Sequence, residues 1–220
     1  MMTEAAINFP PPASLAEQAY RILEEKLVTL QFAPGEMIGE KTLVDELGIG
    51  RTPVREAIQR LSAEGLLEVL PRKGLLVTPI RRTDLTRIIE VRRVLERLMV
   101  VKAAERAQSR QRLALKFLSN NLQDANTELE RFFQLDRDLN ELLAIACDNR
   151  FLVGALAVTH GQCRRLWFMH REQLDLPASA KLHSGLAMAV AEGHAAGAIR
   201  ASDEIVAILE GLVDGLDVLS

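Results

Sequence analysis

Two groups of side chains in this 220-residue chain have the types and spacing to do chemistry. The first is a run of cations. Arg51, Thr52 and Arg55 follow Gly48-Ile49-Gly50, and Gln59 lies one turn further on. Between them Val54, Ala57, Ile58 and Leu61 recur at helical spacing. A helix that buries the apolar set must present the polar set to solvent. Guanidinium groups in the first turns of such a helix suit base edges in the DNA major groove. Further on, Pro71-Arg72-Lys73-Gly74 places two more cations at a turn, where they can lie on phosphates or in the minor groove. The plainer reading is a solvated helix face and an ordinary polar turn. The succession of basic helix and basic turn favours the first.

The second group lies in the later part of the chain. Arg92 and Glu96 are four residues apart, on one helix face. They read either as a surface ion pair, worth little, or as an arginine aimed inward to hold a carboxylate ligand in a bidentate fork. Asp136 and Asn140 are also one turn apart, with His183 far along the chain. Carboxylate and imidazole are usual ligands of a divalent metal, but two such residues do not make a site. Taken alone, His183 reads as a polar helix residue.

These side chains need a scaffold, and the periodicity supplies one. Ser14 with Glu17 forms a capping box, and Leu15, Ala19, Ile22, Leu23, Leu27 and Leu30 carry a helix to about Gln31. Phe32-Ala33-Pro34-Gly35 is a turn. Lys41–Leu47 makes a short helix with Leu43, Val44 and Leu47 inward. The glycine turn and the basic helix complete a helix-turn-helix, which ends at Gly65. Leu66–Leu70 and Leu75–Thr78 read as the two strands of a wing. After a link over 79–82, Thr83 or Asp84 caps a long helix with Leu85, Ile88, Ile89, Leu95, Leu98, Met99 and Ala103 inward. Further helices are expected over 112–125, 128–146, 150–171, 180–192 and 202–219.

The expected fold class is mainly α. A winged helix-turn-helix of three helices and a two-stranded wing spans 14–79, and an all-α antiparallel bundle of about six helices spans 80–220. Residues 1–13, with Pro10-Pro11-Pro12, read as a flexible lead-in. Hydrophobic residues are 48% of the chain and aromatic residues only 4%, which favours helical cores over sheet. The formal net charge is −3, so any nucleic-acid surface is local. Cys147 and Cys163 sit in apolar helical pattern and read as free thiols of a reducing compartment. No apolar run reaches membrane-spanning length and no signal peptide is evident, so a soluble cytoplasmic protein without a membrane partner is expected. There is no nucleophile elbow, HExxH or Gly-rich phosphate loop.

The first domain resembles the winged helix of GntR-family bacterial transcription regulators. The likeness rests on Pro34-Gly35, Leu47-Gly48-Ile49, Arg51-Thr52-Pro53-Val54-Arg55-Glu56-Ala57, Leu61, Glu64-Gly65-Leu66 and Arg72-Lys73-Gly74. By that resemblance Lys41, Arg51, Thr52 and Arg55 fall where the family contacts DNA, and Arg72, Lys73 and Gly74 fall on the wing. Gly50 stands where the family usually has Ser or Thr. The second domain resembles the helical effector domain called FCD, of the FadR-like branch and its VanR-type subgroup. That likeness rests on Glu90-Val91-Arg92-Arg93-Val94-Leu95-Glu96, Ala103-Ala104-Glu105, Leu135-Asp136-Arg137-Asp138-Leu139-Asn140, Asn149 and His183 through Ala198. Many such domains hold Zn²⁺ through an Asp, a His four residues later and two further His. Here Asp136 and His183 are kept, while Asn140 and Ile205 stand in place of the other expected histidines. A tight divalent metal is therefore not expected, with Zn²⁺ the candidate if His160, His170 or His194 substitutes. The resemblance implies instead an effector held directly by Arg92, Asp136, Asn140 and His183, with Arg164 or Arg165 beside them.

Three functions follow as expectations. The first is a homodimeric regulator of double-stranded operator DNA, in the common mode a repressor, whose helical domain binds a small carboxylate effector. The second is a constitutive DNA-binding dimer with a vestigial pocket. The third is a metal-dependent or acid–base enzyme on the bundle, for which the sequence offers little.

Overall fold

The computed structural model describes residues 14–124 and 128–218; the lead-in over 1–13 lies outside them, as do the expected helix ends at Ala125 and Leu219. The chain divides into two compact units, Met1–Pro79 and Ile80–Ser220.

Local chemistry sets the helix ends of the first unit. Helix α1, Leu15–Val28, begins where Ser14 Oγ accepts the Glu17 N–H at 3.1 Å. It buries Ala19, Tyr20, Leu23, Leu27 and Val28, whereas Leu15 and Ile22, expected inward, are exposed. The helix is rotated towards Tyr20, whose hydroxyl donates to the Glu64 carboxylate at 2.8 Å in a buried contact. Strand β1, Met37–Ile38, precedes α2, Glu40–Leu47. Gly48 closes α2 at φ +63°, a conformation that favours glycine. Helix α3, Arg51–Ala63, starts from Gly50 as N-cap without a side-chain bond. Strands β2, Leu67–Leu70, and β3, Gly74–Val77, pair antiparallel with Leu67 opposite Val77. Met37 pairs with Leu76, so the wing is part of a three-stranded sheet in the order β1-β3-β2. The sequence reading lacked β1, because two residues are too short to show alternation. The core gathers Leu23, Leu27, Leu43, Val54, Ala57, Leu61, Leu66 and Val77.

The second unit is built from α4 Arg82–Arg106, α5 Ser109–Asp124, α6 Leu129–Cys147, α7 Arg150–Met169, α8 Leu176–Ala191 and α9 Ala195–Asp214. Helix α4 packs along α9, α6 and α7, and α5 packs along α8. Several boundaries differ from the sequence reading: α5 begins at Ser109 rather than 112 and α7 ends at Met169 rather than 171, and three further starts move. Helix α4 already begins at Arg82, so Thr83 and Asp84 lie within its first turn. Helix α8 begins at Leu176, where Asp175 accepts the Ala178 N–H and Pro177 occupies the first turn. Helix α9 begins at Ala195 rather than at 202, a start the sequence does not mark because Ala195-Ala196-Gly197 shows no apolar period. Within α4, Leu85, Ile89, Met99 and Ala103 are buried as expected, but Leu98 faces outward. Arg112 ties three elements together: Nε donates to the Ala107 carbonyl, Nη2 to Ala104 and Nη1 to Ala191, at 2.8, 2.8 and 3.0 Å. Among the described residues no helix is long and apolar enough to cross a membrane.

Candidate functional site

In the first unit α3 buries Val54, Ala57, Ile58 and Leu61 and leaves Arg51, Thr52, Arg55 and Gln59 exposed. Lys41 is exposed in the first turn of α2. The neighbouring Glu40 accepts from Arg55 Nε at 2.6 Å, so the start of α2 aims the side chain in the second turn of α3. This contact is absent from any sequence pattern; only the acidic residue beside Lys41 hinted at it. On the wing the Lys73 N–H donates to the Leu70 carbonyl at 3.0 Å, which leaves Arg72 and Lys73 exposed at the tip. Gly74 has φ +112°, and a Cβ there would meet the Ile38 carbonyl oxygen at 2.8 Å. Glycine is thus required both by the turn and by the close approach of β1.

In the second unit α4, α6, α7, α8 and α9 converge on a cavity with two lobes. Arg92, Asp136, Asn140, His183 and Ile205 border both lobes. One lobe adds Phe132, Phe133, His160, Arg164 and Trp167; the other adds Glu96, Leu139, Leu186, Ser202 and Val206. Each encloses about 10 Å³, the room of about one water molecule.

Arg92 and Glu96 form an ion pair, and it is buried: 8% and 4% of each residue is exposed. Nε and Nη2 of Arg92 both lie 3.1 Å from Glu96 Oε1. That oxygen also meets His160 Nε2 at 2.8 Å. Burial alone pushes the Glu96 carboxyl up, but Arg92 and His160 outweigh it and bring it down to about 2. Burial likewise depresses the Arg92 guanidinium, and Cys163, Glu96 and Asp136 around it more than reverse the effect. The surface reading of the pair does not hold. The arginine points inward, but its fork already grips an internal carboxylate.

His183 Nδ1 donates to the Ser179 carbonyl at 2.7 Å, which presents Nε2 to Asp136 Oδ1 at 3.4 Å. Burial raises the Asp136 carboxyl; the hydrogen bond and charge of His183, with Arg92 and His160 behind it, lower it below the ordinary value. Asn140 Nδ2 donates to Asp136 Oδ1 at 3.1 Å and to the Asp136 carbonyl at 2.9 Å. The His183 ring stands edge-on to Phe132 and Trp167, with centroids 5.1 and 5.9 Å away. Arg165 is fully buried next to the Gln162 side chain and does not border the cavity, whereas Arg164 does. Burial takes the Arg165 guanidinium down to about 10. Of the two other histidines, His170 caps the end of α7 and is buried, and His194 caps α9 in an exposed position.

The donors present do not fit a closed four-ligand zinc site. Asp136 and His183 are close enough to share an ion, but Asn140 turns an N–H towards the Asp136 oxygen and Ile205 offers no donor. His160 is committed to Glu96. Among the described residues no cluster of three or more His, Cys, Asp or Glu converges. Cys147 and Cys163 are buried and free, and burial raises both thiols. Cys163 lies against Arg92, which moderates the rise.

The sequence reading missed Glu96 and His160 as one hydrogen-bonded unit, and the ring wall of Phe132, Phe133 and Trp167. His160 lies 64 residues from Glu96, so no local spacing links them. The rings occupy apolar helix positions that read equally well as core.

Comparison with known proteins bears on the family and the fold. Residues 15–77 match the family described as bacterial regulatory proteins, gntR family, and residues 87–207 match the FCD domain. The HTH-type transcriptional regulator YdhC of Bacillus subtilis is 30% identical over 161 residues, 70% of each chain. The HTH-type transcriptional repressor RspR of Escherichia coli is 27% identical over 201 residues, 84% of this chain and 86% of its own. The structure of E. coli McbR/YncC superposes with a TM-score of 0.77 at 23% identity, covering 93% of this chain and 99% of that one, which supports the fold. The chain therefore belongs to the GntR family of bacterial transcription regulators, with a DNA-binding winged helix in its first unit and an FCD domain in its second.

Proposed function

We propose that the protein is a homodimeric operator-binding repressor released from DNA by a small organic acid bound in the helical domain. One observation carries the reading. An exposed basic helix, aimed by Glu40, stands in one unit, and a cavity bordered by convergent ionisable groups stands in the other. In this reading Arg51, Thr52 and Arg55 face base edges, and Lys41, Arg72 and Lys73 meet phosphates, with Gly74 shaping the wing tip. The relative named as a repressor, similar over most of the chain, supports the sign of regulation. Arg92, Asp136, Asn140 and His183 form the effector end of the cavity, with Arg164 rather than Arg165 beside them. No turnover is proposed, and the relatives are regulators.

The dimer surface proposed is the outer face shared by α4 and α7. The two helices run antiparallel, since Glu96 meets His160 while Arg106, at the end of α4, reaches the Asp148 carbonyl just ahead of α7. Val94 and Leu98 on α4, and Phe151, Gly154, Ala155 and Val158 on α7, are all exposed and all apolar. A self-complementary apolar strip suits a two-fold contact, and two-fold proteins meet two-fold operators.

The test is selection of DNA from a random pool, followed by titration of organic acids against the selected complex. The expected result is a short inverted repeat bound by two chains and released by at least one acid in a saturable way. Failure to enrich any sequence overturns the DNA reading. Enrichment without release by any acid leaves the constitutive dimer, which the small volume of the cavity favours.

A further inference from the structure

We infer that Arg72 enters the minor groove from the wing tip and selects a narrow, A·T-rich stretch of the operator. The inference rests on the DNA-binding reading above and goes beyond the phosphate contact given there to Arg72.

The backbone of the tip carries the argument. Leu70, Pro71, Arg72 and Lys73 form one turn, closed by the Lys73 N–H on the Leu70 carbonyl at 3.0 Å. Arg72 has φ +64°. That excludes a type I turn, whose third residue has negative φ. Pro71, whose ring holds φ at about −65°, excludes the two primed types. A type II turn remains, and its third position favours glycine because φ is positive there. The wing has arginine instead. A side chain in the left-handed region costs stability, so a residue kept there against the turn's own preference points to a use for that side chain.

Two other described non-glycine residues have positive φ, and each has a local reason. Leu30 lies where the Gln31 N–H closes α1 on the Lys26 carbonyl at 2.9 Å. Asp148, of a type that tolerates this region, caps α6. Arg72 has no such return within the protein. It is exposed, and among the described residues its side chain has no hydrogen bond or ion pair. Arg60 of the same unit shows the contrast. Its guanidinium carbon lies 3.5 Å from the centre of the Tyr20 ring, and it donates to Glu17 and Glu64 at 2.9 and 3.1 Å. The hairpin behind Arg72 is also fixed, since β3 lies between β1 and β2 in the sheet.

A phosphate contact would not need this arrangement, because Lys73, next in the chain and also exposed, already supplies a flexible cation. A minor-groove contact does need it. That groove is about 6 Å wide and narrows in A-tracts, where its negative potential deepens. A guanidinium is planar and more weakly hydrated than an ammonium, so it leaves water for the groove at lower cost. G·C pairs place an amino group on the groove floor and obstruct it.

The test uses the full-length protein and the operator selected from a random pool. The natural chain is expected to enrich A·T pairs at a fixed distance from the bases read by α3. Replacing those pairs by G·C is expected to weaken binding about tenfold, a difference of about 1.4 kcal/mol. Replacing them by inosine·C, which alters the major groove but lacks the minor-groove amino group, is expected to restore it. Arg72→Gly is expected to bind the A·T and G·C versions alike, while its thermal midpoint stays level or rises because glycine suits the turn. Arg72→Lys keeps the charge and is expected to lose most of the preference. Retention of the A·T preference in Arg72→Gly overturns the inference. So does full retention in Arg72→Lys, since a point charge on phosphate would then suffice. A preference that inosine·C does not restore has the same effect. A thermal midpoint of Arg72→Gly well below that of the natural chain also overturns it, by giving Arg72 a role in the fold. The two readings fail separately. No enrichment of any sequence sinks the DNA reading, whereas an operator with indifferent flanks sinks only the minor-groove inference.

Discussion

At the scale of single residues the structure distinguishes cations that look alike in sequence. Arg55 is aimed by Glu40, whereas Lys73 stands at the wing tip. Arg55→Ala is expected to cost about 1–3 kcal/mol of operator affinity and to relax the base preference at one position per half-site. Lys73→Ala is expected to weaken all sequences evenly and to reduce the salt slope of binding by about one per head. Binding to a panel of single-base operator variants at several salt concentrations checks both. In the helical unit Glu96 carries the sharper forecast. Glu96→Gln leaves Arg92 buried beside a neutral partner and is expected to destabilise the unit by about 3–5 kcal/mol in urea unfolding. The same pair sets an acid limit. The Glu96 carboxyl lies near 2 in the fold and near 4.5 when unpaired, so its contribution is fully present above about 4.5 and is lost as pH falls towards 2. In Glu96→Gln the loss of stability over that window is expected to be shallower.

At the scale of elements, what was legible in the sequence followed from strict local period. Val54, Ala57, Ile58 and Leu61 permit one helix face only, so the exposure of Arg51, Thr52 and Arg55 could be read from spacing. The start of α9 is not legible because Ala195-Ala196-Gly197 has no large apolar residue to mark a face. The periodicity places Leu98 in the core because it does not say how wide the buried stripe is, and Leu98 is in fact exposed. Its exposure, with Val94 and Val158, gives α4 and α7 an outward apolar face. A Val94→Asp, Leu98→Asp double variant is expected to shift sedimentation equilibrium towards monomer while the far-UV spectrum stays helical. The cavity was the least legible part, since its groups come from five helices and meet only through tertiary packing. Replacing the two non-ligating positions would complete a four-donor set around Asp136 and His183. An Asn140→His, Ile205→His variant is expected to gain a thermal midpoint that rises with added Zn²⁺ and falls with chelator, whereas the natural chain is expected to show far less than one ion per chain by elemental analysis.

At the scale of the whole molecule, an acidic protein with a net charge of −3 has to find a short site in a polyanion. Its affinity is expected to fall steeply with salt, because phosphate contacts dominate. The Glu40–Arg55 bond has a further consequence for this search. A free guanidinium binds any phosphate it passes, and each such stop lengthens the scan. With Glu40 holding Nε of Arg55 at 2.6 Å, part of the guanidinium is occupied and a carboxylate repels the backbone beside it. The arginine is released to DNA most favourably where a base edge meets its remaining N–H groups. Glu40 thus exchanges grip on random sequence for speed along it. Glu40→Gln is expected to bind random duplex more tightly, to dwell longer there in single-molecule tracking, and to reach its operator more slowly on long DNA than on short.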